Sequence, residues 1–537
     1  MLLSKAMTMS SHPLLEIPRV HFIPLSAPLF DACLTPKVRL LLISPHSYFL
    51  HCMLHALNLH VQHFELQESL TKALLEHPSV TLFREYLRIK TVHPKPDYAG
   101  AATFFKRVAA DRGLNYSSHE CVEGKPFVQP FRPSLLPSFP LHVEFSPNLY
   151  SLILSSSVSL LAWDSSMLLV MLWMLLFPRS IVILTWQGSN ASLSSILLNS
   201  HIDVVPVEED KWTTDPFGAF KDVEGNIFAR GAQDMKCVGI QHLEAVCRLK
   251  ESGFVPKRTV HLSFVPDEEI GGKDGMEAFV KTSHFSALNV GFALDEGLAN
   301  PGEECMTYYG ERSAWWIVAE ASGPTGHGSQ LFKETAVNRL MNFLFPYHQW
   351  RQEESKRLHA EGSTLKLGDV TTVNINMIKS GAFAADGLSW QTNIIPSSAK
   401  AAIDMRIAPT VDLVKFESEL MSRAKEHEIK ISILQCMRTN PVTSTDSKTS
   451  PWWHTFQHVC QQMHVRPKLA IFPAATDSRF IRATGVPAIG FSPMNHTPVL
   501  LHDHNEYLNE NTFLKGIDFF TELVRQLTLL DKHAMDK

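Results

Sequence analysis

The stretch RTVHLSFVPDEEIGG, residues 258–272, carries an apolar run that stops at Glu268 and Glu269 and then at two glycines. The run has the length of a strand buried on both faces. Adjacent carboxylates repel, and a strand end beside a core is a poor place for both to ionise. Two readings are open for the pair. One is a solvated turn. The other gives one glutamate to a metal and the other to the proton of a water molecule, and it requires further ligands elsewhere in the chain.

Outward from this stretch, helix and strand alternate. PSVTLFREYLRI (78–89) and AATFFKRVAADRGL (101–114) place apolar residues three and four apart, which predicts two amphipathic helices. SIVILTW (180–186) and SSILLNSHID (194–203) read as buried strands, MKCVGIQHLEAVCRLKESG (235–253) as a helix ending at Gly253, and NVGFALDE (289–296) as another strand. This order predicts an α/β fold with a mainly parallel sheet. From Ser313 the texture changes. SAWWIVAEASG (313–323), DVTTVNINMI (369–378) and AKAAIDMRIA (399–408) alternate with period two, with helical patterns near 335–359 and 411–426. They predict an inserted α+β layer over 313–441, flanked by the two parts of the larger domain at 66–312 and 442–537. The second part ends in a helix at 507–530.

Composition sets limits on function. With 45% hydrophobic and 19% charged residues and a net charge of −5, the 537-residue chain reads as an ordinary globular protein. The absence of a long Lys/Arg run argues against a nucleic-acid partner. Eight cysteines show no CxxC pair, which suits free thiols in a reducing, cytoplasmic setting. Residues 1–34 lack the pattern of a secretory signal. The apolar runs at 39–54 and 155–177 are interrupted by Pro45 and by Asp164, and fall short of the ~20 residues a spanning helix needs.

In an open parallel sheet, active groups gather beyond the carboxyl ends of strands. Three predicted strands end in His201 and Asp203, in Glu268 and Glu269, and in Asp295 and Glu296. Asp234 lies in ARGAQDMK (229–236), and LLHDHNEYL (500–508) adds His502 and His504. Any one of these alone is an ordinary turn residue. Together at one edge they would strand charge unless a divalent cation sat among them, and a mixed N/O set favours zinc.

SHIDVVP, ARGAQDMK, VPDEEIGG, ALDEG, GHGS and HDHNE, in this order, resemble the motifs of the co-catalytic zinc peptidases and amidohydrolases, a family that includes glutamate carboxypeptidase and acetylornithine deacetylase. Longer stretches, FGAFKDVEGNIFARGAQDMK and GFSPMNHTPVLLHDHNE among them, are similar to its N-acyl-L-amino-acid amidohydrolase branch. The resemblance implies two zinc ions per subunit. His201 and Glu296 would hold one, Glu269 and His502 the other, and Asp234 would bridge them. It makes Glu268 the general base, and has Asp203 hydrogen-bond the His201 imidazole and fix its tautomer. It implies that His327, in GPTGHGS (323–329), stabilises the tetrahedral oxyanion from a partner subunit, and hence a homodimer. Asn393, Arg406 and Thr476 match positions near the substrate carboxylate. The substrate implied is a small N-acyl amino acid, with the larger domain catalytic and the inserted layer a lid and dimerisation domain.

The chain departs from that pattern at residues 1–65, at a block from 126 to 179, and at AFAADGLSWQT (382–392). A membrane span in the long block would separate helices and sheet that the family packs into one domain, which argues against membrane insertion. Two other readings stay open: a dipeptidase or carboxypeptidase of the same family, and a non-catalytic binding protein on this scaffold. Retention of a general base beside all five ligands argues against the latter.

Overall fold

The computed structural model describes residues 76–121, 180–383, 389–534 and 536. The N-terminal extension and the block 126–179, with their apolar runs, lie outside the described residues. Helix α1 (Pro78–Leu87) starts at His77, whose Nδ1 accepts from the Ser79 amide, with proline in the first turn where a missing N–H costs nothing. Helix α2 (Tyr98–Arg112) is capped by Asp97 and stops at the left-handed Gly113. Strands β1 (Asn115–Glu120), β2 (Ser180–Trp186) and β3 (Ser195–His201) follow, then helix α3 (Lys236–Glu251) and strands β4 (Val260–Val265), β5 (Val290–Asp295) and β6 (Glu304–Glu311).

The chain then builds a second layer. Its parts are β7 (Ser313–Ser322), β8 (Gly326–His327), α4 (Ala336–Leu358), β9 (Thr372–Ser380), β10 (Ile394–Ile395), β11 (Ser398–Ile407), α5 (Leu413–Glu426) and β12 (Ile429–Cys436). The larger layer resumes with α6 (Pro451–Gln462), β13 (Arg466–Phe472), α7 (Ser478–Ala483), β14 (Ala488–Phe491) and α8 (Glu510–Leu529). Tyr507–Asn509, inside the helical pattern predicted to 530, instead pairs as a short strand with Asn226–Phe228, and Asn509 caps α8.

The large sheet has the order β1-β2-β4-β3-β5-β14-β6-β13. Its centre, β4-β3-β5-β14, is parallel, whereas β1, β2 and the β14–β6 pair run antiparallel. Every residue of β3, β4 and β5 is buried, because helices cover both faces. Phe105 of α2 stacks on Phe264 of β4 with ring centroids 3.6 Å apart, and Trp452 of α6 stacks on Phe292 of β5. The second layer is the antiparallel sheet β9-β11-β7-β12, with α4 and α5 packed around Trp315, Phe343 and Phe416. The fold is thus α/β, with strands β3, β4 and β5 all ending at one edge. Among the described residues no helix is long and apolar enough to cross a membrane.

One core residue is out of keeping with its surroundings. His242 of α3 is fully buried, meets Phe520 of α8 edge-on at 4.4 Å, and has no hydrogen-bond partner for either ring nitrogen among the described residues. Burial pushes its pKa down to about 3. Between that value and the unfolded value of about 6.5, only the unfolded chain takes the proton. Stability from the neutral imidazole is therefore complete above about 6.5 and is lost as pH falls toward 3. His242→Leu is expected to move the acid-unfolding midpoint to lower pH, followed by circular dichroism.

Candidate metal centre

The turn after β4 answers the question raised by its sequence. Asp267 adopts a left-handed conformation (φ 68°), and Gly271 and Gly272 do the same. The Gly271 amide donates to Glu268 O and the Gly272 amide to Asp267 O, which closes the turn. A Cβ on Gly272 would stand 2.8 Å from the Phe480 ring, so glycine is required there by space as well as by φ. The turn delivers Glu268 and Glu269 together beyond the strand end.

Their neighbours arrive from four other chain segments. His201 Nε2 lies 3.0 Å from Asp234 Oδ1 and 3.7 Å from Glu296 Oε2. The other Asp234 oxygen lies 3.1 Å from His502 Nε2, which is also 3.1 Å from Glu269 Oε2. Asp234 therefore spans the two imidazoles. The alternatives left open by spacing are separated here. Asp295 is occupied by Asn199 and Ser478, while Glu296 approaches His201, and it is His502 rather than His504 that meets the carboxylates.

The residues fit a cation pair on the chemistry of the donor set. Glu269 Oε1 is buried without a hydrogen-bond partner among the described residues. Ligand atoms of His201, Glu268 and Glu296, and of His201, Asp234 and Glu269, fall within 4.8 Å of one another. Two imidazoles stand among these carboxylates and offset part of their charge. Bonds to Asp234 and Glu269 raise His502 to about 10, while burial pushes Glu268 up to about 7 and Glu269 to about 8. Burial would raise Asp234 as well, but hydrogen bonds from His201 and His502 outweigh it and hold the carboxyl well below its usual range.

Asp203 meets the imidazole as expected, but through its backbone carbonyl rather than its carboxylate. His201 Nδ1 meets the Asp203 backbone carbonyl at 2.9 Å, and the nearest Asp203 carboxylate oxygen is 3.9 Å away. That carboxylate instead accepts the Glu268 and Glu269 amides, each at 3.1 Å. The strand ends at His201, so alternation no longer directs Asp203: its carbonyl reaches back to the ring while its carboxylate reaches the neighbouring turn.

Sequence reasoning missed three groups. Glu506, fully buried, accepts from Arg230 and from the Gly231, Gln233 and Asp234 amides, and so holds the Asp234 loop. Arg479, 5% exposed, donates to Glu268 Oε1 at 3.3 Å and to the Thr476 and Gly271 carbonyls. Glu311 binds the Thr476 amide at 2.6 Å. HNE within HDHNE was the available signal for Glu506; nothing local marks Arg479.

The remaining expected site residues lie in other surroundings. Thr476 is buried and is linked through Arg479 to Glu268. Arg406 pairs with Asp404 and stands over the Trp316 ring. His327 and Asn393 are exposed and adjacent, with β8 paired to β10. Among the described residues, no hydrogen bond or ion pair of His327, Asn393 or Arg406 reaches the carboxylate cluster.

Residues 197–526 match the family model described as peptidase family M20/M25/M40. The chain is 44% identical over 454 residues to Aminoacylase-1 of Sus scrofa and of Homo sapiens, covering 84% of this chain and 96% of each relative. It is 39% identical to Aminoacylase-1 of Dictyostelium discoideum, covering 86% and 100%. Among solved structures, an M20 family metallo-carboxypeptidase from Sulfolobus solfataricus shares the fold at a TM-score of 0.59 and 14% identity, over 85% of this chain and all of that one. A dinuclear metal-binding M20 peptidase of Bacillus subtilis does so at 0.51 and 12%, over 84% and 97%.

The Arg479–Glu268 pair is buried at both ends, so removing the cation leaves a carboxylate uncompensated. Arg479→Ala is expected to destabilise the chain in denaturant unfolding by up to about 3 to 5 kcal/mol well above pH 7, where Glu268 is ionised, and by less at lower pH, where it takes a proton. Glu268→Gln in the same background is expected to recover part of that loss.

Proposed function

This chain belongs to peptidase family M20/M25/M40, and on that premise we propose that it hydrolyses N-acyl-L-amino acids to a carboxylate and a free L-amino acid. One observation carries the reading: a buried glutamate stands beside a mixed imidazole and carboxylate cluster, in a chain similar to Aminoacylase-1 over nearly that protein's whole length. In this reading His201, Asp234, Glu269, Glu296 and His502 would hold two cations, with Asp234 shared between them. The N/O donor set suits zinc. When bound, two such cations polarise the scissile carbonyl and make water more acidic.

The chain's own groups do the rest. Glu268 takes a proton from the attacking water and passes it to the departing amine nitrogen as the C–N bond breaks. Asp203, through two amides, and Arg479, through the carboxylate, keep Glu268 in place for both transfers. His327 donates to the developing oxyanion. Thr476, braced by Glu311, and Asn393 and Arg406 recognise the substrate carboxylate. His327 is exposed and makes no described contact with the cluster of its own chain, which supports an action in the site of a second copy, hence a homodimer. Cys237, Cys247, Cys305 and Cys460 are buried free thiols, which supports a cytoplasmic setting.

The test is a hydrolysis assay of N-acetyl-methionine against a dipeptide panel. N-acetyl-methionine is expected to be the better substrate, a chelator to abolish turnover, and elemental analysis to find about two metal ions per chain. Dipeptide cleavage without N-acetyl-methionine hydrolysis would instead favour a dipeptidase, and intact substrate throughout would favour a binding protein.

A second experiment addresses His327. His327→Ala is expected to lower turnover by roughly a hundredfold or more, as for loss of an oxyanion donor. Mixing that inactive chain with an inactive Glu268→Ala chain is expected to restore activity, because the mixed dimer has one site with both groups intact. No rescue after confirmed subunit exchange would place His327 within its own chain's chemistry or outside chemistry altogether.

A further inference from the structure

We propose that His93, in the linker between α1 and α2, and Tyr98, the first residue of α2, are positioning residues for the reaction. Acting through Asp203 and Asp267, they hold the β4 turn so that the Glu268 carboxylate is set to take the proton of the attacking water. This rests on the proposed hydrolysis of N-acyl amino acids and assigns two further residues to its proton-transfer step.

Consecutive amides of the turn are each held by a side chain. The Asp267 amide donates to the Tyr98 hydroxyl at 3.0 Å, and the Glu268 and Glu269 amides donate to Asp203 Oδ1 and Oδ2, each at 3.1 Å. The Tyr98 hydroxyl in turn donates to Asp267 Oδ1 at 2.8 Å, so it grips the left-handed Asp267 by amide and carboxylate together. His93 links the two holders. Its Nε2 lies 3.2 Å from Asp203 Oδ2, 3.4 Å from the Tyr98 hydroxyl and 3.6 Å from Asp267 Oδ1. With carboxylate oxygens on that side of the ring, Nε2 carries a proton and donates to Asp203. Asp203 and Asp267 are both buried, and carboxylates so placed need such donors. Burial, with Asp203 and Asp267 close by, holds Tyr98 well above the usual phenol range, so the hydroxyl keeps the proton it donates.

The linker is itself fastened to the segments that carry the cluster. Thr91 Oγ1 donates to Ile202 O at 2.7 Å, the Val204 amide donates to Thr91 O at 3.2 Å, and Val92 pairs with Val204 in a parallel bridge. Lys236, two residues beyond Asp234, donates from Nζ to Ile89 O at 2.8 Å and to Tyr86 O at 3.3 Å. The stretch from Tyr86 to Tyr98 thus meets the segments that bring His201, Asp234 and Glu268. Among the described residues, neither the His93 nor the Tyr98 side chain has a hydrogen bond or ion pair to His201, Glu268 or the other cluster residues. Their effect on the chemistry therefore passes through the backbone of the turn. A reacting group misplaced by about 1 Å can lose roughly a hundredfold in rate.

The experiment compares His93→Leu, His93→Gln and Tyr98→Phe with the natural chain. It measures kcat and KM for N-acetyl-methionine, and amide hydrogen exchange of residues 264–272 with and without added zinc, with thermal melts to verify folding. His93→Leu and Tyr98→Phe are expected to lower kcat by about ten- to a hundredfold, with KM changed by less than about twofold, and to speed exchange in 264–272. His93→Gln, whose amide nitrogen can replace Nε2 as the donor, is expected to recover most of kcat and the slow exchange. Natural kcat in folded His93→Leu and Tyr98→Phe overturns the inference. So does a loss carried by KM, which would place the two residues against substrate, and so does an equal loss of kcat in His93→Gln and His93→Leu. Unchanged exchange in variants that have lost kcat overturns it as well, since the turn would then not be what the pair holds. A natural chain inactive toward N-acetyl-methionine and toward the dipeptide panel overturns the functional reading, and the role in catalysis falls with it.

Discussion

Asp234 shared between His201 and His502 is the contact around which the molecule is arranged. Four carboxylates, Asp234, Glu268, Glu269 and Glu296, converge at one sheet edge with two imidazoles. Two like unit charges about 4 Å apart repel by roughly 4 kcal/mol at the effective dielectric of a partly buried site. Such a cluster persists only where the surrounding structure fixes it and positive charge compensates it. The imidazoles offset part of the carboxylate charge, and a divalent pair would supply the rest when bound.

The fixing is layered. Strands β3, β4 and β5 are buried on both faces and end in register, which sets where His201, Glu268 and Glu296 leave the sheet. Glu506 then organises the Asp234 loop through three backbone amides and Arg230, and Asp203 organises the β4 turn through two more amides. Both devices are carboxylates accepting backbone N–H groups. They neutralise their own burial by hydrogen bonding and orient their neighbours at the same time. Arg479 adds a guanidinium in direct contact with Glu268.

Much of this was legible in the sequence, and the limits have physical causes. Continuous apolar runs ending in acidic residues identified β3, β4 and β5, because strands covered on both faces cannot alternate. Spacing could not choose between Asp295 and Glu296, since neighbours on a strand end differ only in the face they turn to. Nor could sequence say which Asp203 oxygen meets His201; it is the backbone carbonyl, not the carboxylate. Arg479 was invisible for another reason. It acts on Glu268 across 211 residues of chain, and its only local context is a short helix start. The short strand at Tyr507–Asn509 escaped because its pairing with Asn226–Phe228 is set by tertiary contact within an amphipathic helical pattern.

His327 belongs to a different kind of construction. The cluster is buried and over-determined, whereas His327 sits exposed on a two-residue bridge. Its ring is still oriented. The Ser329 amide donates to Nδ1 at 3.2 Å, so in the neutral ring Nδ1 is an acceptor and the proton resides on Nε2. The outer nitrogen is therefore a fixed donor before any substrate arrives. A donor addressed to an oxyanion needs that tautomer, and a metal ligand would need the opposite one on the same atom. This separates His327 from His201 and His502, whose Nε2 atoms face carboxylates. The chain thus keeps its charge-bearing cluster buried and held by many hydrogen bonds, and presents the Nε2–H of His327 on an exposed two-residue bridge, where a group from outside its own chain can meet it.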